Sequence, residues 1–164
     1  MARGPSDSDA YLSVASSPVS DYPFTMSLWF NTSVVDAYQD IFSIRYDNND
    51  YVWFRIESDA NAAMWGTYNG DIDNCATGSV SANTWYNITG VHAASNSRVL
   101  YFDGGSDADA STRPFNNSLD KIYIGQTGTT NPRISGYIAE AAIWNVALTE
   151  AEALMMQDGF SPLF

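Results

Sequence analysis

Positive charge is what this sequence has least of. One lysine, Lys121, and six scattered arginines stand against 19 carboxylates, for a formal charge of −12. Phosphate backbones are gripped by clustered Lys and Arg, so the composition argues against a nucleic-acid partner, and it disfavours anionic membrane surfaces. Cysteine is nearly absent. Cys75 stands alone, which rules out an internal disulfide and reads as a small buried residue rather than a nucleophile. The single histidine, His92, leaves one Cys–His pairing on paper and no more. No run of ~20 apolar residues exists to insert in a membrane. The opening Met1-Ala2-Arg3-Gly4-Pro5-Ser6-Asp7 lacks the apolar core of a secretory leader. No phosphate-binding glycine loop, nucleophile elbow or zinc spacing occurs.

What the chain does contain is alternation. Phe24, Met26, Leu28 and Phe30 occupy one parity and Thr25, Ser27, Trp29 and Asn31 the other, the period of a strand with one buried face. Tyr11–Ala15, Asp40–Tyr46, Tyr51–Glu57, Met64–Tyr68, Trp85–His92, Arg98–Phe102 and Lys121–Gln126 read as further strands, and the polar Asp47-Asn48-Asn49-Asp50 as a hairpin loop. The Gly-, Ser-, Asp- and Ala-rich stretch between Gly104 and Pro114 reads as loop. Near the end, Gly136 to Trp144 reads as a strand. Thr149 and Glu152 then form a capping box opening a short helix, Glu150 to about Gln157, which Gly159 and Pro162 terminate. About a dozen short strands separated by turn signals predict an all-β sandwich. At 164 residues, with no linker or repeat, one domain spanning 1–164 is expected, burying roughly 70% of its unfolded surface.

Several stretches carry a family resemblance. Gly136-Tyr137-Ile138-Ala139-Glu140, the aliphatic strand after it, and Asn145-Val146-Ala147-Leu148 before an acidic helix resemble the closing motif of laminin G-like domains. Ser8-Asp9-Ala10-Tyr11-Leu12-Ser13-Val14 and Phe24–Phe30 resemble the first two strands of that group. Trp85 to His92 with Val99-Leu100-Tyr101-Phe102-Asp103-Gly104, then Ile122-Tyr123-Ile124-Gly125, resemble its hairpin and following strand. The resemblance implies a two-sheet antiparallel jelly roll of the concanavalin A-like, laminin G-like type, with one short C-terminal helix. It leaves function open, because this fold hosts lectins, glucanases and structural modules alike.

Related glucanases carry E-x-D-x-E on one strand, which aims an acid and a nucleophile into one cleft. The four glutamates here, Glu57, Glu140, Glu150 and Glu152, do not fall in that pattern, so no enzyme is expected and a glycoside hydrolase is a remote alternative. In the strand Tyr51–Glu57, alternation puts Val52, Phe54 and Ile56 inward and Tyr51, Trp53 and Arg55 outward, with Ser43 and Arg45 on the neighbouring strand. Rings that stack on sugar C–H faces, beside groups that hydrogen-bond hydroxyls, suit a glycan platform. The same row also suits ordinary cross-strand pairing. Trp29, Trp85 and Trp144 read as core.

The resemblance also implies calcium held by loop oxygens. Asp47, Asn48 and Asp50, with Asn49, form one cluster, Asp103 and Asp107, with Asp109, another, and Asp71 and Asp73 a third. Hard cations want six to eight such oxygens, although Asp, Asn and Gly also simply make turns. The apolar end, Phe160 to Phe164 with Leu163, suits partner docking.

Two functional classes follow. One is a non-catalytic structural protein on a phage virion surface, a capsid decoration or tail-associated protein. It would contact other virion proteins, display a lectin-like face to cell-surface glycans and self-associate as a homo-oligomer. The other is a stand-alone, calcium-dependent carbohydrate-binding module or lectin in an extracellular setting.

Overall fold

A computed structural model describes residues 11–59, 61–126, 128 and 133–159. Its strands are β1 (Leu12–Val14), β2 (Phe24–Thr32), β3 (Gln39–Asp47), β4 (Asp50–Ile56), β5 (Ala62–Tyr68), β6 (Ile72–Ser79), β7 (Trp85–Ala94), β8 (Ser97–Phe102), β9 (Gly105–Asp109), β10 (Lys121–Ile124) and β11 (Gly136–Trp144), and one helix follows, α1 (Glu150–Gln157). They form a six-stranded sheet in the order β1-β10-β3-β4-β5-β6 and a five-stranded sheet in the order β11-β2-β7-β8-β9. Every strand pair is antiparallel. This is the expected jelly-roll sandwich.

The alternation read in β2 holds: Phe24, Met26, Leu28 and Phe30 are fully buried. They meet Phe42, Ile44, Val52, Phe54 and Trp65 of the opposite sheet in one core. The fit between sheets is tight at Trp65, where a Cβ on Gly90 would come within 2.5 Å of the indole. Any larger residue at 90 would push the sheets apart.

Two elements escaped the sequence reading. Ile72–Ser79 forms β6, and Gly105–Asp109, read as loop, forms β9. Both are edge strands, mostly exposed, so neither carries an apolar alternation. The helix begins where the capping box placed it. Thr149 N–H donates to Glu152 Oε2 at 2.7 Å and Glu152 N–H to Thr149 Oγ1 at 3.4 Å. Ala153 and Leu154 pack with Val91, Val99 and Tyr101 on the outer side of the five-stranded sheet.

One end of the sandwich is tied electrostatically. The Arg98 side chain, on β8, has no solvent exposure. It donates to Asp109 Oδ2, to Ser95 O at 3.2 Å and to Ser111 O at 2.8 Å, and lies 3.6 Å from Asp73 Oδ2 on the other sheet. Arg113 Nε donates to the same Asp73 oxygen at 2.8 Å. Burial alone would raise the Asp109 carboxyl, but hydrogen bonds from Arg98 and Ser111 hold it below the usual carboxylate range. Asp71, Asp73 and Asp109 thus answer arginines. Cys75 is fully buried, and burial, then Asp107 and Asp109, pushes its thiol up to about 12. It is core.

His92 is fully buried beside Tyr22, Phe24 and Phe115, and neither ring nitrogen has a hydrogen-bond partner. Burial, then the charge of Arg98, lowers its pKa to about 3, with Asp109 opposing. Below the unfolded value of about 6.5 the unfolded chain therefore binds a proton that the native state refuses, so stability falls as pH drops toward 3. His92→Phe should flatten urea-unfolding stability between pH 4 and 6 by about 1.4 kcal/mol per pH unit relative to wild type. Parallel profiles for the two proteins would contradict this assignment.

Candidate functional site

Tyr51, Trp53 and Arg55 do face away from the inter-sheet core, and register assembles them into three rows across the six-stranded sheet. Lys121, Arg45, Tyr51, Tyr68 and Ile72 form the first row, and Tyr123, Ser43, Trp53, Gly66 and Asn74 the second. Asp40, Arg55, Met64 and Ala76 form the third. A bulge between Asp40 and Phe42 turns Asp40 to this outer side, where Arg55 Nε donates to its Oδ1 at 2.6 Å.

Trp53 lies flat on the sheet because residue 66 is glycine. A Cβ there would fall 2.3 Å from the indole. The Arg55 guanidinium covers the ring at 4.3 Å from its centroid, and itself lies 5.6 Å from the Tyr38 ring. Trp53 is consequently 1% exposed. Rather than an open platform, it is the centre of a second packed cluster with Tyr51, Met64 and Tyr68. Beside it runs a ladder of alternating ring and cation. Tyr68 and Tyr51 are 5.2 Å apart, Arg45 lies 5.2 Å from Tyr51 and 5.7 Å from Tyr123, Tyr123 is 6.2 Å from Tyr11, and Arg133 sits 5.1 Å from Tyr11. At the ladder's flank, Lys121 Nζ lies 5.2 Å from the Tyr46 ring. Cation–π contacts of this kind contribute about 0.5–2 kcal/mol each, more when desolvated. Burial raises the Tyr51 phenol, which keeps it a neutral donor.

Two polar atoms on this face go unanswered. Trp53 Nε1 and Ser43 Oγ, on paired residues, are buried without a hydrogen-bond partner. Each such group costs about 1–3 kcal/mol. The rim of the face is accessible: Tyr11, Tyr38, Tyr46 and Ile72 are exposed and Tyr68 is half-buried.

The calcium candidates fare differently. Arg45 donates through Nε to the Asp47 carbonyl at 3.0 Å and through Nη2 to Asn48 Oδ1, so a guanidinium takes oxygens that an ion would need. Asp47 Oδ1 accepts from Asn49 N–H at 2.7 Å. Asp50 is buried; its Oδ2 accepts from Asn117 N–H at 2.6 Å and Nδ2 at 3.2 Å, and burial raises its carboxyl, against those hydrogen bonds. Asp103 sits in the β8–β9 turn and Asp107, on β9, accepts from Ala76 N–H at 2.9 Å. These two belong to the other sheet's edge and are not brought to Asp47. Among the described residues no three His, Cys, Asp or Glu side chains gather as a metal site. The donor set fits a calcium ion poorly. Phe160, Leu163 and Phe164 lie outside the described residues.

One aromatic surface was missed. Trp29 and Trp144 are half-buried, but Trp85 is 42% exposed and Tyr137 39%, with ring centroids 6.4 Å apart on the outer side of the five-stranded sheet. The parity of Trp85 with Asn87 and Thr89, opposite Ile88 and His92, carried that signal. The correction follows from alternation outweighing the tendency of large aromatics to be buried.

A family model described as "Concanavalin A-like lectin/glucanases superfamily" matches residues 6–153. No curated protein sequence matches. Among solved structures, a heptameric SAP-like pentraxin from Limulus polyphemus aligns with TM-score 0.71 and 14% identity, over 93% of this chain and 78% of its own. Domain 4 of AbnA, an extracellular arabinanase from Geobacillus stearothermophilus in complex with arabinotriose, gives 0.75 and 16%, over 88% and 71%. A sialidase CBM40 from Ruminococcus gnavus bound to α2,3-sialyllactose gives 0.65 and 13%, over 96% and 97%. At these identities the likeness is one of fold.

The packing distinguishes the two exposed-face tryptophans. Trp53→Ala should cost about 3–5 kcal/mol in urea unfolding, as a fully buried aromatic, whereas Trp85→Ala should stay within about 1 kcal/mol. Equal costs would contradict this arrangement.

Proposed function

Because the chain belongs to the concanavalin A-like lectin/glucanase superfamily, we propose that it is a non-catalytic carbohydrate-binding domain whose glycan docks on the outer face of the six-stranded sheet. The observation that carries this is the ring–cation ladder around Tyr51, Trp53, Arg55 and Arg45, with two unpartnered polar atoms in its midst. Trp53 and Arg55 act as the floor that positions the rest. Tyr68, half-buried, and Tyr38, exposed, offer ring surface a sugar can reach. The arabinotriose and sialyllactose held by two proteins of the same fold support a carbohydrate as the class of ligand.

The acid–base pair of a glycosidase has no counterpart in these rows. Their one carboxylate, Asp40, is engaged by Arg55. Calcium is not required by this reading, since Arg45 supplies a fixed positive charge where the rim oxygens converge. The docking residues expected for a virion-surface role, Phe160, Leu163 and Phe164, lie outside the described residues. No described helix is long and apolar enough to cross a membrane.

A glycan array followed by calorimetry on the best ligand tests the reading. Tyr68→Ala should weaken binding by about tenfold or more, the scale of a lost stacking ring, with Trp85→Ala unchanged and chelator without effect. Binding lost in Trp85→Ala but kept in Tyr68→Ala would move the site to the other sheet. Loss on chelation would restore calcium to the mechanism.

A further inference from the structure

The helix covers only one end of the outer face of the five-stranded sheet. Just before α1, Leu148 N–H donates to Thr25 Oγ1 at 3.0 Å. Ala153 and Leu154 then pack with Val91, Val99 and Tyr101. At the far end Gly104 N–H, in the β8–β9 turn, donates to Gln157 Oε1 at 2.9 Å. Beyond the helix the same face carries Trp29 and the row Trp85–Asn31–Tyr137, with Trp85 and Tyr137 exposed. We infer that this aromatic row is the seat of the chain's own segment Phe160-Ser161-Pro162-Leu163-Phe164, which folds back onto it from the end of α1.

The seat is within reach. Ile88 pairs with Phe102, so the Gly104 turn lies at the Trp85 end of β7, and α1 delivers the chain to that end. Gly159 then turns it. Its φ of +83° is left-handed, a conformation glycine adopts without strain, and its N–H donates to Met156 O at 3.4 Å, as helices commonly end. Five extended residues span about 17 Å. The three strand steps from β8 through β7 and β2 to β11 cover about 14 Å. The segment therefore reaches Tyr137 and passes Trp85 on the way.

The two surfaces match in chemistry. In a chain of formal charge −12, residues 160–164 carry no charge and include three large apolar side chains. The outward residues of β2, β7, β8 and β11 carry no charge either; Glu140, in the β11 bulge, and Asp103, in the β8–β9 turn, stand at the border. Polar groups in the middle of the face are spent on one another. The Ser27 and Thr89 hydroxyls lie 2.8 Å apart, Asn87 Nδ2 donates to Ser27 Oγ at 3.2 Å, and Thr89 Oγ1 donates to Asn87 Oδ1 at 2.9 Å. A sugar needs hydrogen-bonding groups left free as well as rings, whereas an apolar segment needs only the rings. With centroids 6.4 Å apart, Trp85 and Tyr137 offer adjoining surfaces against which phenylalanine rings pack. Pro162, with its φ fixed by the ring, lowers the entropy lost when the segment is ordered.

A soluble gadolinium chelate tests this, because it relaxes only resonances that solvent reaches. In the wild-type chain the nitrogen-15-bound indole proton of Trp85 should be shielded, close to that of the buried Trp53. The triple variant Phe160→Ser, Leu163→Ser, Phe164→Ser should keep the fold and raise the relaxation of Trp85 severalfold, with Trp53 unchanged. Should that variant unfold, Tyr137→Ala, which alters the seat and not the segment, should expose Trp85 in the same way. A Trp85 proton fully relaxed in the wild type, or equally relaxed in wild type and variants, would overturn the inference. Shielding should be independent of protein concentration, with the mass of one chain by light scattering. Shielding lost on dilution, together with the mass of a dimer, would assign the seat to the segment of a second copy and overturn docking within the chain.

Discussion

The clamp on Trp53 is the constraint from which the outer face follows. Without a side chain at Gly66, the indole lies flat across the sheet, its upper face covered by the Arg55 guanidinium. Arg55 can hold that position because the β3 bulge turns Asp40 toward it. With Trp53 down and Arg55 fixed, Tyr51 and Met64 close on the indole, and the next rung, Arg45, is held between Tyr51 and Tyr123. A small residue thus turns half of a sheet into a second packed layer. Rigidity of this kind is what a binding surface needs, since a preorganised site avoids much of the ordering cost of association.

Electrostatics divide the molecule in two. At one end the buried Arg98 and its neighbour Arg113 bind carboxylates from both sheets, a network in which removal of one partner strands the others in low dielectric. On the outer face Arg45, Arg55 and Lys121 meet rings as well as backbone and carboxylate oxygens. Few basic residues serve both tasks, so the rest of the surface stays acidic. Solubility explains that acidity without any ligand; it does not explain why four cations gather among tyrosines.

Much of this was legible in residue order. Strict alternation in Phe24–Phe30 and in Val52-Phe54-Ile56 specified which faces meet, because a one-residue slip would turn every apolar side chain outward. Thr149 and Glu152 marked the helix start by local chemistry alone. Tyr51, Trp53 and Arg55 were assigned to the outer side by parity, but their burial was not visible, since it depends on Gly66 opposite Trp53 on the next strand and on a bulge that breaks parity at Asp40. Edge strands β6 and β9 were obscured because partners on one side only demand no apolar pattern. The acidic turns looked like calcium ligands; only three dimensions reveal that Arg45 reaches Asn48 and that Asp73 and Asp109 answer arginines.

The central claim is that the outer face of the six-stranded sheet, around Trp53, receives the ligand. Its most direct test is a nitrogen-15 titration of the tryptophan indole resonances with the glycan that binds best, the chain having five tryptophans to report separately. The account predicts that the resonance of Trp53, the buried floor of that face, shifts as the ligand docks on the residues packed against it, while the exposed Trp85 resonance stays in place. Movement of Trp85 with Trp53 unmoved would contradict it.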